Sequence, residues 1–266
     1  MCCLLLPLAA LLLLLTIVPT VTEVVRSMSN CPGFLLDETP PNVPGILERG
    51  NILDQNRYKP ICQTFNNRKS FVTLYDTTNR IPVFSAYKYG EEQGSRPRAI
   101  WKIEPQVNLS FLLLQLENIN DDQNMRPSDK NRIYKNQAGN ADYTNQEFDR
   151  GHLFPSSYAL YENDKKSTFT LTNIVPQVGT FNKGSWAHME SCIKCVLDEY
   201  CFNSNGVKEG FLVTGAQPGQ SKMNKNVNIP SMLWSAFCCY NQREMRWLAS
   251  AHWGENIHEP GVQYLQ

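Results

Sequence analysis

The chain has no excess of charge of either sign: Lys plus Arg and Asp plus Glu number 25 each. That excludes a uniformly basic surface that coats nucleic acid, while leaving room for a local basic site. Charged residues make up only 19% against 42% hydrophobic ones. A disordered or collagen-like chain is therefore excluded, and 266 residues suffice for a sizeable core. There is no internal repeat, low-complexity tract or long linker. Beyond residue 22 no run is long and apolar enough to cross a bilayer; Phe111 to Leu116 is only a strand or a short helical run.

The one long apolar stretch stands at the start. Leu4 to Val18 falls short of the roughly 20 residues a membrane span needs and matches the apolar region of a signal peptide, although no basic residue precedes it. Small Thr20 and Thr22 place cleavage before Glu23. The expectation is a signal peptide over 1–22, a single domain over 23–266, and secretion without a membrane span; the alternative is a retained signal anchor.

Of nine cysteines, Cys2 and Cys3 lie in the leader, which leaves seven. An odd number leaves at least one thiol free or bonded to another chain, so a disulfide-linked or non-covalent dimer is an open expectation. Cys192, Cys195 and Cys201 hint at zinc, but no second CxxC pair or nearby HxxxH completes such a site, so disulfides are the better reading in an oxidising compartment. Cys238 and Cys239 are neighbours on a strand and point to opposite faces, so one of them can bond Cys192, Cys195 or Cys201. Asn108-Leu-Ser110 is a glycosylation sequon.

Residues 31–60, rich in Pro, Gly and Asn, read as an irregular lead-in. Ser70–Tyr75 and Ile81–Tyr87 form a hairpin around Asp76-Thr-Thr-Asn79. Residues 121–146 are loop-like. Further strands are predicted over Phe169–Val175, Phe211–Thr214 with a stop at Gly215, Met232–Tyr240 and Trp247–Trp253. One helix runs from Asn182 towards Tyr200, with Trp186, Met189, Ile193, Val196 and Leu197 on its apolar face. Trp186 and Met189 are read as core, His188 as pointing away from any site, His252 as packing and His258 as part of a polar tail. Strands on both sides of a buried helix indicate an α+β fold.

The chemistry concentrates in Asp149-Arg150-Gly151-His152. Imidazole takes a proton near neutral pH, guanidinium binds phosphate bidentately, and Gly151 allows close approach of backbone or ligand. A second segment runs Leu171-Thr-Asn173-Ile-Val-Pro-Gln177, then Phe181-Asn182-Lys183-Gly184-Ser185-Trp186, then Glu190. On a continuous helix Asn182 and Glu190 differ by about 80° around the axis and face one cavity. Mg²⁺ prefers oxygen ligands and keeps several waters, so the Asn182 carbonyl is a plausible ligand and Glu190 a holder of its waters.

In this combination and order the residues resemble the DNA/RNA non-specific endonuclease family, the ββα-metal nucleases with an Asp-Arg-Gly-His motif. Asn136-Gln-Ala-Gly-Asn-Ala-Asp-Tyr143, Gly210-Phe-Leu-Val-Thr-Gly-Ala216 and Ile229-Pro-Ser-Met-Leu-Trp-Ser235 also fit, and are similar to the endonuclease domain-containing 1 group within it. The resemblance implies a central antiparallel sheet with flanking helices. It implies His152 as general base, Arg150 as a phosphate contact, Asn182 as direct ligand of a single Mg²⁺ (Mn²⁺ in its place), and Glu190 as the carboxylate ordering its waters. Asn173 and Gln177 fall on polar supports, and Arg98 on a second phosphate-binding arginine. Arg96 is the alternative to Arg98, because the family often has one residue fewer before the tryptophan. Asp149 is assigned to bracing the motif. The implied activity is phosphodiester hydrolysis of DNA and/or RNA, held through phosphate contacts and leaving 5′-phosphates. The alternative is a catalytically silent secreted binding or signalling protein on the nuclease fold.

Overall fold

The structure, a computed structural model, describes residues 24–91, 94–108 and 124–258. The signal-peptide reading, Phe111–Leu116 and most of the Asn108 sequon fall outside them. The lead-in contains a small ladder of β1 (Leu47–Glu48) and β2 (Asn51–Ile52). Then come β3 (Tyr58–Phe65), β4 (Arg68–Asp76) and β5 (Ile81–Tyr89). Short β6 (Lys102–Ile103) and β7 (Arg126–Pro127) pair with each other. β8 (Asp149–His152), α1 (Glu162–Ser167), β9 (Ile174–Gln177), α2 (Gly179–Lys183) and α3 (Ser185–Tyr200) follow. The chain then runs through β10 (Gly210–Met223), β11 (Val227–Asn241) and β12 (Arg246–Glu255).

The main sheet has the order β12-β11-β10-β5-β4-β3, antiparallel at every contact. Strand alternation sends Val72, Leu74, Phe84 and Ala86 to the face covered by the lead-in, where they meet Met28, Leu35 and Leu47. Phe71, Tyr87, Tyr89, Leu212 and Phe237 go to the other face, under Ile193 and Leu197 of α3. With both faces covered, the central strands read as nearly continuous buried runs.

A row of buried hydroxyls crosses the α3 side of the sheet at paired positions. Thr73 meets Ser85 at 3.0 Å and Thr214 meets Ser235 at 3.0 Å. Ser85 donates to Asn173 Oδ1 at 2.9 Å, and Gln63 donates to Thr172 at 2.9 Å. Each hydroxyl of the row finds a partner, so its burial costs little, and the row fixes the segment that leads into β9.

Disulfides join Cys31 to Cys62 and Cys201 to Cys239. The first holds the lead-in to β3 and the second holds the end of α3 to β11. Loops of 31 and 38 residues correspond to about 3–4 kcal/mol each in the chain-entropy account. Cys192, Cys195 and Cys238 are free. Among the described residues no helix is long and apolar enough to cross a membrane.

Three expected elements differ. The strand expected over Phe169–Val175 is interrupted: Thr170 makes a single parallel bridge to Lys102, and the ladder with β8 starts only at Ile174, because the chain turns at Asn173, whose N–H donates to the Thr170 carbonyl. β10 does not stop at Gly215 but continues to Met223. There a Cβ would lie 2.4 Å from the Trp234 ring, so this glycine serves cross-strand packing rather than a turn. The single helix from Asn182 is two helices, broken at Gly184 (φ −95°, ψ −116°).

Candidate active site

β8 and β9 pair antiparallel, with Asp149 opposite Gln177, Arg150 opposite Pro176, Gly151 opposite Val175 and His152 opposite Ile174. The period of two puts Arg150 and His152 on one face, and both line a cavity of about 760 Å³. Gly151 is on the reverse face, where the buried Gln177 side chain lies across it: a Cβ there would stand 2.0 Å from Gln177 Oε1 and 2.6 Å from its Cβ. Gly151→Ala should therefore destabilise the fold by about 1–3 kcal/mol, the usual cost of overpacking. A denaturant midpoint equal to that of the unaltered chain would contradict this account of the contact.

The Arg150 guanidinium lies between the rings of Trp101 (5.1 Å) and Tyr143 (5.4 Å), and its Nη2 donates to Asn140 Oδ1 at 3.3 Å. Its Nε is buried with no partner among the described residues, and this desolvation lowers its pKa. A guanidinium stays cationic all the same.

His152 packs against Trp101 (5.4 Å) and edge-on to Phe169 (5.1 Å). Its Nε2 is sealed from solvent and has no hydrogen-bond partner among the described residues. Burial, with the Arg96 charge adding to it, pushes the imidazole down to about 3, so it is neutral at ordinary pH.

Asn182 sits in the last turn of α2. Its Nδ2 donates to Asp149 Oδ2 at 3.0 Å, and Lys183 reaches the same oxygen at 2.7 Å. Burial would raise the Asp149 pKa, but the bonds from Lys183 and Asn182 outweigh it and lower it. With its nitrogen so held, the Asn182 amide has its carbonyl oxygen to offer the cavity. Glu190, on α3, lines the same cavity; burial raises its carboxyl to about 7 against the pull of Trp186 and Arg96. The backbone carbonyl of Glu190 accepts from Tyr158 Oη.

The break at Gly184 removes the helical-wheel argument that joined Asn182 to Glu190. They meet because α2 and α3 both border the cavity. His188 is exposed, His252 half-buried and His258 exposed. Trp186 is core, whereas Met189 is half-buried against two clusters.

Asn173 does not reach the cavity. Its Oδ1 accepts from Phe154 N at 3.0 Å, and its Nδ2 donates to the carbonyls of Phe154 (3.1 Å) and Thr168 (3.0 Å). It ties the exit of β8 to the entry of β9. Gln177 is likewise buried behind β8, with neither amide atom bonded among the described residues.

Arg98, the first reading for the second arginine, is exposed and does not border the cavity. Arg96 takes that place, with its guanidinium 5.6 Å from the Phe169 ring. Two buried lysines hold this segment. Lys165 Nζ donates to Gly94 O at 2.5 Å, and Lys102 Nζ to Ile100 O at 3.1 Å and Lys166 O at 2.5 Å. Burial brings Lys102 down to about 8. Nothing in the sequence marked these lysines, because bonds to distant backbone carbonyls leave no local motif. The aromatic walls Trp101 and Tyr143 stood within quoted segments, but only the fold brings them to Arg150.

Among the described residues no three His, Cys, Asp or Glu side chains are grouped to hold a metal ion. Cys192 and Cys195 are exposed thiols and Cys201 is bonded to Cys239, so the cysteines form no zinc site.

A family model described as DNA/RNA non-specific endonuclease matches residues 50–256. The Endonuclease domain-containing 1 protein of Homo sapiens is 28% identical over 219 residues, which is 82% of this chain and 40% of that protein. Its counterpart from Mus musculus is 31% identical over 209 residues, 79% of this chain and 38% of that protein. The chain thus spans about two fifths of the length of these relatives. A chain in the crystal structure of an EndoG/EndoGI complex superposes with a TM-score of 0.50 at 18% identity, covering 71% of this chain and 73% of that one. The α+β, ββα-metal architecture is shared with it.

Proposed function

The chain belongs to the DNA/RNA non-specific endonuclease family, and from that footing we propose that it is a secreted, metal-dependent endonuclease that hydrolyses DNA and/or RNA. The leader over 1–22 would be removed, leaving one nuclease domain from residue 23. Two disulfides accord with an oxidising compartment. The observation that carries the reading is the cavity itself: Arg150 and His152 project into it from one strand face, and Asn182 and Glu190 border it from the helices.

The donor set fits a hard, oxygen-preferring cation held by few protein groups, Mg²⁺ or Mn²⁺. Asn182 would ligate it through its carbonyl oxygen and Glu190 would hold its waters. When bound, such an ion supplies positive charge beside the phosphate and the departing 3′ oxygen.

The chain's own residues do the rest. His152, kept neutral by its burial, takes a proton from water as that water attacks phosphorus in line, leaving a 5′-phosphate. Arg150, fixed between two rings, and Arg96 hold phosphate oxygens and favour the added charge of the transition state. Asp149 orients Asn182, while Asn173 and Gln177 brace β8 from behind. A neutral chain with a local cationic cavity favours phosphate contact over base readout.

Incubation of the secreted chain with plasmid DNA and with RNA, with and without EDTA, tests the proposal. Cleavage of at least one substrate that EDTA abolishes is expected; no cleavage of either with Mg²⁺ or Mn²⁺ present would leave the silent binding protein as the reading. The arginines separate in the same assay. Arg96→Ala should cost about 10–100-fold in kcat/KM, the worth of a charged hydrogen bond of ~1.5–3 kcal/mol. Arg98→Ala should stay within about twofold. The reverse order would return the role to Arg98.

A further inference from the structure

The two edges of the main sheet are treated differently. β3 carries Lys59 and Pro60 and shifts register between Gln63 and Thr64. Its outer side is also occupied: Val24 bridges Ile61, Val25 N donates to Pro60 O, and Met125 N donates to Thr64 O. These are the devices that keep an edge strand from pairing with another chain. β12, at the opposite edge, has none of them. It runs 10 residues without lysine, proline or a register shift, and among the described residues no strand pairs with its outer side. Between Trp247 and Gly254 it has no Lys, Arg, Asp or Glu.

Its exposed face is apolar. Trp247, Ala249, Ala251 and Trp253 point the same way, opposite Tyr240, Cys238, Ala236 and Trp234 of β11. Trp247 is 56% and Trp253 72% exposed. Such a strand is built to be covered, and its own sequence fits a copy of itself.

We propose that the outer edge of β12 is a dimer interface, at which β12 of a second copy of this chain pairs antiparallel about a two-fold axis at Ser250. With Ser250 opposite its counterpart, Trp247 faces Trp253 of the partner subunit and Ala249 faces Ala251 of the partner subunit, twice over by symmetry. Arg246 stands opposite Gly254 of the partner subunit and keeps Glu244 of its own chain as ion-pair partner, so no like charges oppose each other across the seam. Four tryptophans at ~150 Å² each supply about half of the ~1,200 Å² that a stable interface needs. Met245 and Ile257, 74% and 55% exposed, flank the same seam. The main sheet then continues through both copies, and the catalytic cavities, bordered by β8, α2 and α3, stay outside the contact.

Sedimentation equilibrium of the intact secreted chain tests this, with two double variants at exposed positions of β12. Ala249→Lys with Ala251→Lys sets like charges against each other at both crossings. Ala249→Lys with Ala251→Glu sets Lys against Glu at the same crossings. The unaltered chain should be a dimer at micromolar concentration. The first variant should dissociate at least about 100-fold more readily while keeping its circular dichroism spectrum, and the second should stay within about tenfold of the unaltered chain. A chain that is monomeric at ~100 µM overturns the proposal. So does a dimer that the Lys/Lys variant leaves intact, including one linked through Cys192 or Cys195 on a non-reducing gel. A Lys/Glu variant as weak as the Lys/Lys one overturns the register.

Discussion

Replacing His152 with alanine is expected to slow phosphodiester cleavage by about 10²–10⁴-fold, the usual worth of a positioned general base. No other imidazole borders the cavity, and neither Arg150 nor Arg96 can accept a proton. The buried environment also fixes the sign of the pH response. With the folded pKa at about 3 against 6.5 for a free imidazole, the basic form is present throughout the neutral range. Cleavage should therefore not fall between pH 7 and 5 on account of this group. Stability should fall instead: below pH 6.5 the unfolded chain takes up a proton at His152 that the folded chain refuses until about pH 3. Removal of the ring leaves a space beside Trp101 and Phe169, and imidazole in the buffer should restore part of the rate. Turnover of the alanine variant at the unaltered rate would take the role from His152.

Asn182→Ala should act on the metal rather than on the substrate. Among the described residues the cavity is lined by one amide side chain and by the carboxyls of Asp149 and Glu190, with no group of three, so loss of the amide oxygen should move the Mg²⁺ titration of activity upward by about 10–100-fold or more, with a smaller effect on KM. Asp149 keeps Lys183 as a partner, so the β8 motif should stay folded. An Mg²⁺ titration that overlays that of the unaltered chain at an unchanged rate would rule Asn182 out as the ligand.

What could be read from the sequence followed the strength of local signals. Alternation and a turn marked β4 and β5, helical spacing marked α3, and the unbroken run Asp149–His152 marked the chemistry of the site, though not that these residues form a strand. The rest depended on contacts between distant residues. Gly215 looked like a strand end because only the fold shows the Trp234 ring lying on it. Gly184 lay within good apolar spacing, so the break between α2 and α3 was hidden. Arg96 and Arg98 are two residues apart in an irregular segment, where no periodicity decides which one faces inward. The cystine of Cys201 and Cys239 was among the open pairings; the helix end had to be placed on β11 before one of them could be chosen.

The fit of Gln177 over Gly151 has a further consequence, for how β8 is indexed against β9. A slip of one residue would turn Arg150 and His152 to the rear and bring Gly151 to the cavity in their place, removing both working side chains at once. A slip of two would keep the faces but carry Asp149 or Leu153 under the Gln177 side chain, where not even a Cβ has room. Only one alignment satisfies both conditions. The glycine between the arginine and the histidine thus acts as a key: the two side chains are delivered to the cavity together or not at all.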